Sequence, residues 1–129
     1  MHDQPSVTEL VEAVKHFIDT CAAPNLDGHA AFHARIASNV LAIVLRDLEM
    51  REGADKAERT RLLALLEVTD ETELSALNEA LCARIKTDQI DARNTRLRQH
   101  LRQTVESQLA VDQPHYSGLQ YRGANDKPL

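Results

Sequence analysis

The chain has 129 residues, a net charge of −5 from 20 acidic and 15 basic side chains, and only two Cys, two Phe, two Tyr and no Trp. That length supports one domain with a core, the acidic balance argues against nucleic acid, whose phosphates are gripped by a concentrated basic face, and scarce aromatics with abundant Leu, Ala, Val, Glu and Arg favour helix over sheet. Cys21 and Cys82 lack the spacing of a disulfide framework or a zinc site and read as small buried thiols of a reducing compartment, while the absence of a signal-like opening or a bilayer-length apolar run leads us to expect a cytoplasmic protein with no membrane partner.

Ser6 and Glu9 form a capping-box pair, and Val7, Leu10, Val11, Val14, Phe17, Ile18 and Cys21 follow at helical spacing, so helix one is expected over residues 7–22. Residues 24–28, Pro-Asn-Leu-Asp-Gly, are turn chemistry, with Asp27 as the N-cap of helix two. We expect helix two to end near Arg51, with Gly53 at its C-terminus, and to pair with helix one as an antiparallel hairpin. At 100° per residue, Phe32, Ile36, Ala37, Val40, Leu41, Ile43, Val44 and Leu48 cover a wide apolar arc. Arg35, Ser38, Asn39, Arg46 and Glu49 share a narrow polar stripe, which makes this the central helix of the core. His33 falls inside the apolar arc.

Helix three is expected over residues 55–67, with Leu62, Leu63, Leu65 and Leu66 turned to the core. Asp70 and Glu73 suggest a second capping box ahead of helix four, whose stripe is Leu74, Leu77, Leu81 and Ile85. Thr87 and Asp88 mark a break. Helix five is expected from about Ile90, with Leu97, Leu101, Val105 and Leu109 at four-residue spacing, until Pro114 stops it. The chain therefore reads as all-α: a bundle of about five helices forming a single domain over residues 1–112, with a flexible C-terminal tail over 113–129. That tail, with Gly118, Gly123 and Pro128, is either disordered or laid over the bundle by Tyr116 and Tyr121.

Candidate chemistry is sparse. His29 and His33 at i, i+4 could share a divalent metal, but no Glu stands between them as a zinc-peptidase helix requires and no third ligand is evident, so no metal site is assigned. The alternative makes His29 a solvated residue and His33 a hydrogen-bonded core histidine. His33, Asn78, Asn94 and Gln108 recur on apolar stripes; since buried amides need partners, they imply either a satisfied internal network or a polar-lined ligand pocket. Arg35, Asn39 and Arg46 form a row that either grips a carboxylate or phosphate or is a solvated flank. Arg93, Arg96, Arg98 and Arg102 point in different directions and read as a solvated helix. No Glu-x-x-His pair, nucleophile elbow or glycine-rich phosphate loop is present, so no catalytic residue and no cofactor is assigned.

Residues 32–44, from Phe32-His33-Ala34-Arg35 to Ile43-Val44, together with His100-Leu101-Arg102 and the run from Leu109 to Tyr116, resemble a bacterial family of small all-helical proteins of unknown function. The resemblance extends to residues 10–14 and 76–78; His29 and Gln113 depart from it, standing where Arg and Asn are expected. Members are often encoded beside aminoglycoside-phosphotransferase-like kinases and acyl-CoA dehydrogenases, which implies a role near acyl-CoA metabolism. The expectation that follows is a non-catalytic accessory or interaction subunit of such a kinase or dehydrogenase. Its docking surface is expected to combine Arg35, Asn39 and Arg46 with Gln108, Asp112 and Tyr116. A small-molecule-binding bundle with a polar-lined pocket around His33 is the alternative, an enzyme using His33 as general base is a third reading, and helix five offers a stripe for a homodimer.

Overall fold

The computed structural model describes residues 4–69 and 73–120. These fold as α1 (Val7–Phe17), a π-helical turn (Ile18–Ala22), a 3₁₀ turn (Ala23–Asn25), α2 (Gly28–Leu66), α3 (Leu74–Lys86), α4 (Thr95–Asp112) and the single-turn α5 (Ser117–Gln120). The described residues contain no strand, so the protein is all-α as its composition indicates. Two compact units divide the chain, Met1–Arg51 and Glu52–Leu129, with α2 contributing to both.

In the first unit, the capping box at Ser6 forms as expected. The Ser6 N–H donates to Glu9 Oε2 at 2.6 Å and the Glu9 N–H donates to Ser6 Oγ at 3.2 Å, satisfying two N-terminal donors. Beyond Phe17 the Thr20 hydroxyl donates to the His16 carbonyl at 2.7 Å and Asn25 Nδ2 donates to the Cys21 carbonyl at 2.7 Å, so side chains take up the carbonyls of the closing turns. The Asp19 carboxylate accepts from Lys15 Nζ at 2.6 Å and from the hydroxyl of Ser38 on α2. Those two donors, Lys15 first, hold the Asp19 pKa below the usual carboxylate value. Ser38 is the one buried residue among those described in this unit.

That burial shifts the inward face of α2 from the one expected: Ala37, Leu41 and Ile43 of the apolar arc are half-buried and Arg35, Asn39 and Glu49 of the polar stripe are exposed, but Ser38 of that stripe is buried. Ala34, Ser38, Leu41 and Leu45 turn inward, whereas Phe32, Ile36, Val40, Val44 and Leu48 are exposed. A strict four-residue row advances 400° per step and so drifts 40° off any axis, while the inward residues alternate steps of four and three and stay on one line. His33 shares the outward side and is exposed, not a core histidine. Cys21 and Cys82 are likewise free and exposed, not buried thiols; on α3 the inward position is taken by the adjacent Leu81.

The expected break between helices two and three is absent, and α2 runs through Gly53 without interruption. One interior glycine costs a helix only about 1 kcal/mol relative to alanine, and the flanking Glu, Ala, Lys and Arg are strong helix formers, so propensity favours continuation. The helix ends instead at Glu67, which takes a φ of 54° while the Val68 N–H donates back to the Leu63 carbonyl at 3.1 Å. Asp88, also at φ 54°, closes α3 in the same manner, with the Gln89 N–H on the Arg84 carbonyl at 2.9 Å.

The second unit holds the protein's apolar core. Leu62 and Leu66 of α2, Leu77 and Leu81 of α3 and Leu97 of α4 are 0–3% exposed, and Leu63, Leu65, Val68, Leu74 and Ile90 pack against them. The expected start of the last long helix at Ile90 moves to Thr95, because Asn94 acts as its N-cap, accepting from the Leu97 N–H at 3.1 Å. Along α4 the buried positions are Leu97, His100 and Val111, whereas Leu101 and Val105 of the expected four-residue stripe are exposed. Of the expected second capping box, Asp70 lies outside the described residues, and Glu73 itself is the N-cap of α3. Tyr116 is 48% exposed with its ring over Gly118; Tyr121, Gly123 and Pro128 lie outside the described residues.

Candidate functional site

The sequence candidates are engaged with separate partners. His33 stacks on His29 with ring centroids 6.2 Å apart and meets the edge of Phe32 at 5.6 Å, as their one-turn and adjacent spacings on α2 allow. Among the described residues no group of three or more His, Cys, Asp or Glu side chains is placed to hold a metal ion. Asn78 is half-buried and ties α3 to α2, its Nδ2 donating to Glu58 Oε1 at 2.9 Å and to the Leu74 carbonyl at 3.3 Å. Asn94 is the cap of α4, and Gln108 Nε2 donates to Asp112 Oδ2 at 2.7 Å on the exposed end of that helix. Arg35 and Asn39 are exposed, Arg46 half-buried, and Asp112 and Tyr116 exposed.

Two other features stand out. The first is a pair of open apolar rows in the N-terminal unit: Val7, Leu10, Val14 and Phe17 on α1, and Phe32, Ile36, Val40, Val44 and Leu48 on α2, each between 37% and 62% exposed. Residues of these types offer on the order of 150–200 Å² apiece, so the two rows leave on the order of 800 Å² uncovered, about what one partner contributes to a standard protein–protein interface. Arg35 and Asn39 lie beside the α2 row at the Phe32 end and supply the polar border that such interfaces carry, whereas the half-buried Arg46 continues their line toward the far end, where the row has turned away from it.

The second feature is a groove of about 800 Å³ in the C-terminal unit, formed where two helical stripes face each other. Gly53, Lys56, Ala57, Thr60, Arg61, Ala64 and Leu65 recur at one-turn intervals on α2, and Arg96, Gln99, His100 and Gln103 do so on α4. Lys56, Arg61 and Arg96 bring positive charge to it, and no carboxylate is among the lining residues. His100 is 3% exposed and its Nδ1 has no hydrogen-bond partner; Arg61 Nε is equally shut from solvent and without one. One terminal nitrogen of Arg61 reaches Thr104 Oγ1 at a long 3.4 Å. Burial pushes the His100 pKa below the ordinary histidine value, the neighbouring Arg61 guanidinium adds to that, and Glu58 partly opposes it.

The sequence reading passed over Arg61 and His100 and treated Arg96 as part of a solvated helix. A signal was nonetheless present: Leu97, His100, Thr104, Ser107 and Val111 follow alternating steps of three and four, the period of an inward stripe, and His100 is a titratable residue on that line.

A family model described as a domain of unknown function, DUF6285, matches residues 24–116, which takes in the open rows of α2 as well as both sides of the groove. No curated protein and no solved structure matches the chain.

Proposed function

We propose a function for a chain that belongs to the DUF6285 family: it is a non-catalytic interaction protein that docks on an enzyme through the apolar rows of α1 and α2. The observation that supports this reading is the exposure of those rows, which in a chain of this length are otherwise costly to leave in water. The occupant we assign is a separate enzyme subunit, a phosphotransferase-like kinase or an acyl-CoA dehydrogenase of the kind the resemblance associates with this family. The exposed Arg35 beside the Phe32 end of the α2 row suits a partner that offers a carboxylate at the edge of an apolar centre.

Co-expression with a phosphotransferase-like kinase and with an acyl-CoA dehydrogenase of the kind the resemblance implies tests this. The expected outcome is co-purification of one of them as a stoichiometric complex that Val40→Asp or Phe17→Asp dissolves. These exposed positions allow both variants to fold, as circular dichroism would show. Two results overturn the reading: neither enzyme is retained, or light scattering finds the isolated protein to be a dimer that the same substitutions convert to a monomer.

A further inference from the structure

We infer that the groove between α2 and α4 is a binding site for a small amphiphilic anion, an oxyanion head of the carboxylate or phosphate type on an apolar body, with the head seated at Arg61 and His100. The inference is independent of the docking surface, since every lining residue belongs to the C-terminal unit.

Three observations carry it. The first is charge: a protein of net charge −5 gathers Lys56, Arg61 and Arg96 on one groove, and among the described residues none of the three is paired with a carboxylate. Glu58, the acid that acts on His100, has its Oε1 occupied by Asn78. The second is the pair of polar atoms without partners. Most buried donors and acceptors in folded proteins are satisfied, and here two on adjacent helices, Arg61 Nε and His100 Nδ1, are not. A planar guanidinium with free donors beside an imidazole is the arrangement that recognises a two-oxygen face, whether carboxylate or phosphate. The third is the remainder of the wall, where Ala57, Ala64 and Leu65 offer an apolar strip beside the cations and Gly53 leaves open space at its end. A volume of about 800 Å³ is that of a ligand pocket with a body as well as a head.

Proton linkage follows from the same geometry. Burial and the Arg61 guanidinium oppose a charge on His100 and Glu58 favours it, while Lys56 and Arg96 are the other charged groups that line the groove. Burial is the larger cause and stays, but an anion seated on Arg61 offsets the charge repulsion that adds to it, so the imidazole takes up a proton more readily as the ligand binds, and affinity rises as pH falls through the histidine range.

The test is calorimetric titration of the intact protein with octanoate, octyl phosphate, octanesulfonate, inorganic phosphate and uncharged 1-octanol. Both the carboxylate and the phosphate amphiphile are expected to bind, with the ratio of their affinities showing which head the site prefers. Inorganic phosphate is expected to bind at least about tenfold more weakly for want of an apolar body, and octanol about tenfold more weakly for want of a charge. Octanesulfonate, which stays an anion throughout, is expected to bind more tightly at about pH 6 than at about pH 8, and His100→Asn is expected to abolish that dependence. Lys56→Gln on the exposed rim and Arg61→Met are each expected to weaken the anions but not octanol. If Arg61→Met does not fold, NMR titration of the His100 ring in the wild-type protein still decides, since octanesulfonate must raise its pKa. No anion binding, equal binding of octanol, or an unmoved His100 titration overturns the inference.

Discussion

At the scale of single residues the protein sets one basic group against another in a buried place. His100 is held neutral by burial and by Arg61, so its pKa in the folded chain lies below its unfolded value of about 6.5. The unfolded state therefore binds more protons in this range, and the sign is fixed: the contribution is fully present above about pH 6.5 and is lost as pH falls through the lower folded value. Urea midpoints measured from about pH 7.5 down to about pH 5 are expected to fall more steeply for the wild type than for His100→Gln, which has no group titrating there. Asn94 gives a second expectation, because its side chain takes the Leu97 N–H at the start of α4. Asn94→Ala is expected to lower stability by about 1 kcal/mol, read as a shift in the urea midpoint at unchanged slope. Sequence made the Ser6–Glu9 pair legible because a capping box is wholly local. It placed Asn94 among the inward polar groups, because a helix started at Ile90 puts that amide on the apolar stripe, and only the observed start at Thr95 makes it a cap.

Elements show how spacing decides orientation. Rows at strict four-residue intervals, Phe32 to Leu48 and Leu101 with Val105, lie outside, whereas Leu97, His100 and Val111 follow the alternating period and lie inside. A count of apolar residues alone makes the two kinds of row look equivalent, which is why helix two was legible as the central helix but its buried part was sought at Phe32 to Leu48 rather than at Leu62 and Leu66 near its C-terminal end. Gly53 gives the clearest single test. It sits inside α2 with ordinary helical backbone, and a methyl group added there meets nothing within 4 Å. Gly53→Ala is expected to stabilise the protein by about 0.5–1 kcal/mol through the reduced freedom of the unfolded chain, raising the melting temperature. An unchanged or lowered melting temperature would contradict a continuous helix through that position.

For the whole molecule, stability is distributed unevenly. The fully buried leucines all belong to the C-terminal unit, and among the described residues of the N-terminal unit only Ser38, at 6% exposure, is buried. Leu77→Ala is expected to cost about 2–5 kcal/mol, the range for truncating a leucine in a closed core, measured by denaturant unfolding. Amide hydrogens of α1 are expected to exchange at least tenfold faster than those of α3, since local opening is cheapest where few apolar contacts are lost. The all-α class was legible because composition and helix signals agree along the entire chain. The division into two units was not, because an amphipathic pattern announces that a face wants cover without saying whether this chain supplies it.

The thin interior of the N-terminal unit also bears on how much of this protein a cell can keep. A terminus that opens easily and exposes leucine, valine and phenylalanine is what proteases and chaperones select, and the chain survives best when that side is taken up. Under the proposed docking, copies made in excess of a partner are the first to be cleared, and the steady-state amount of the protein is expected to follow the amount of that partner.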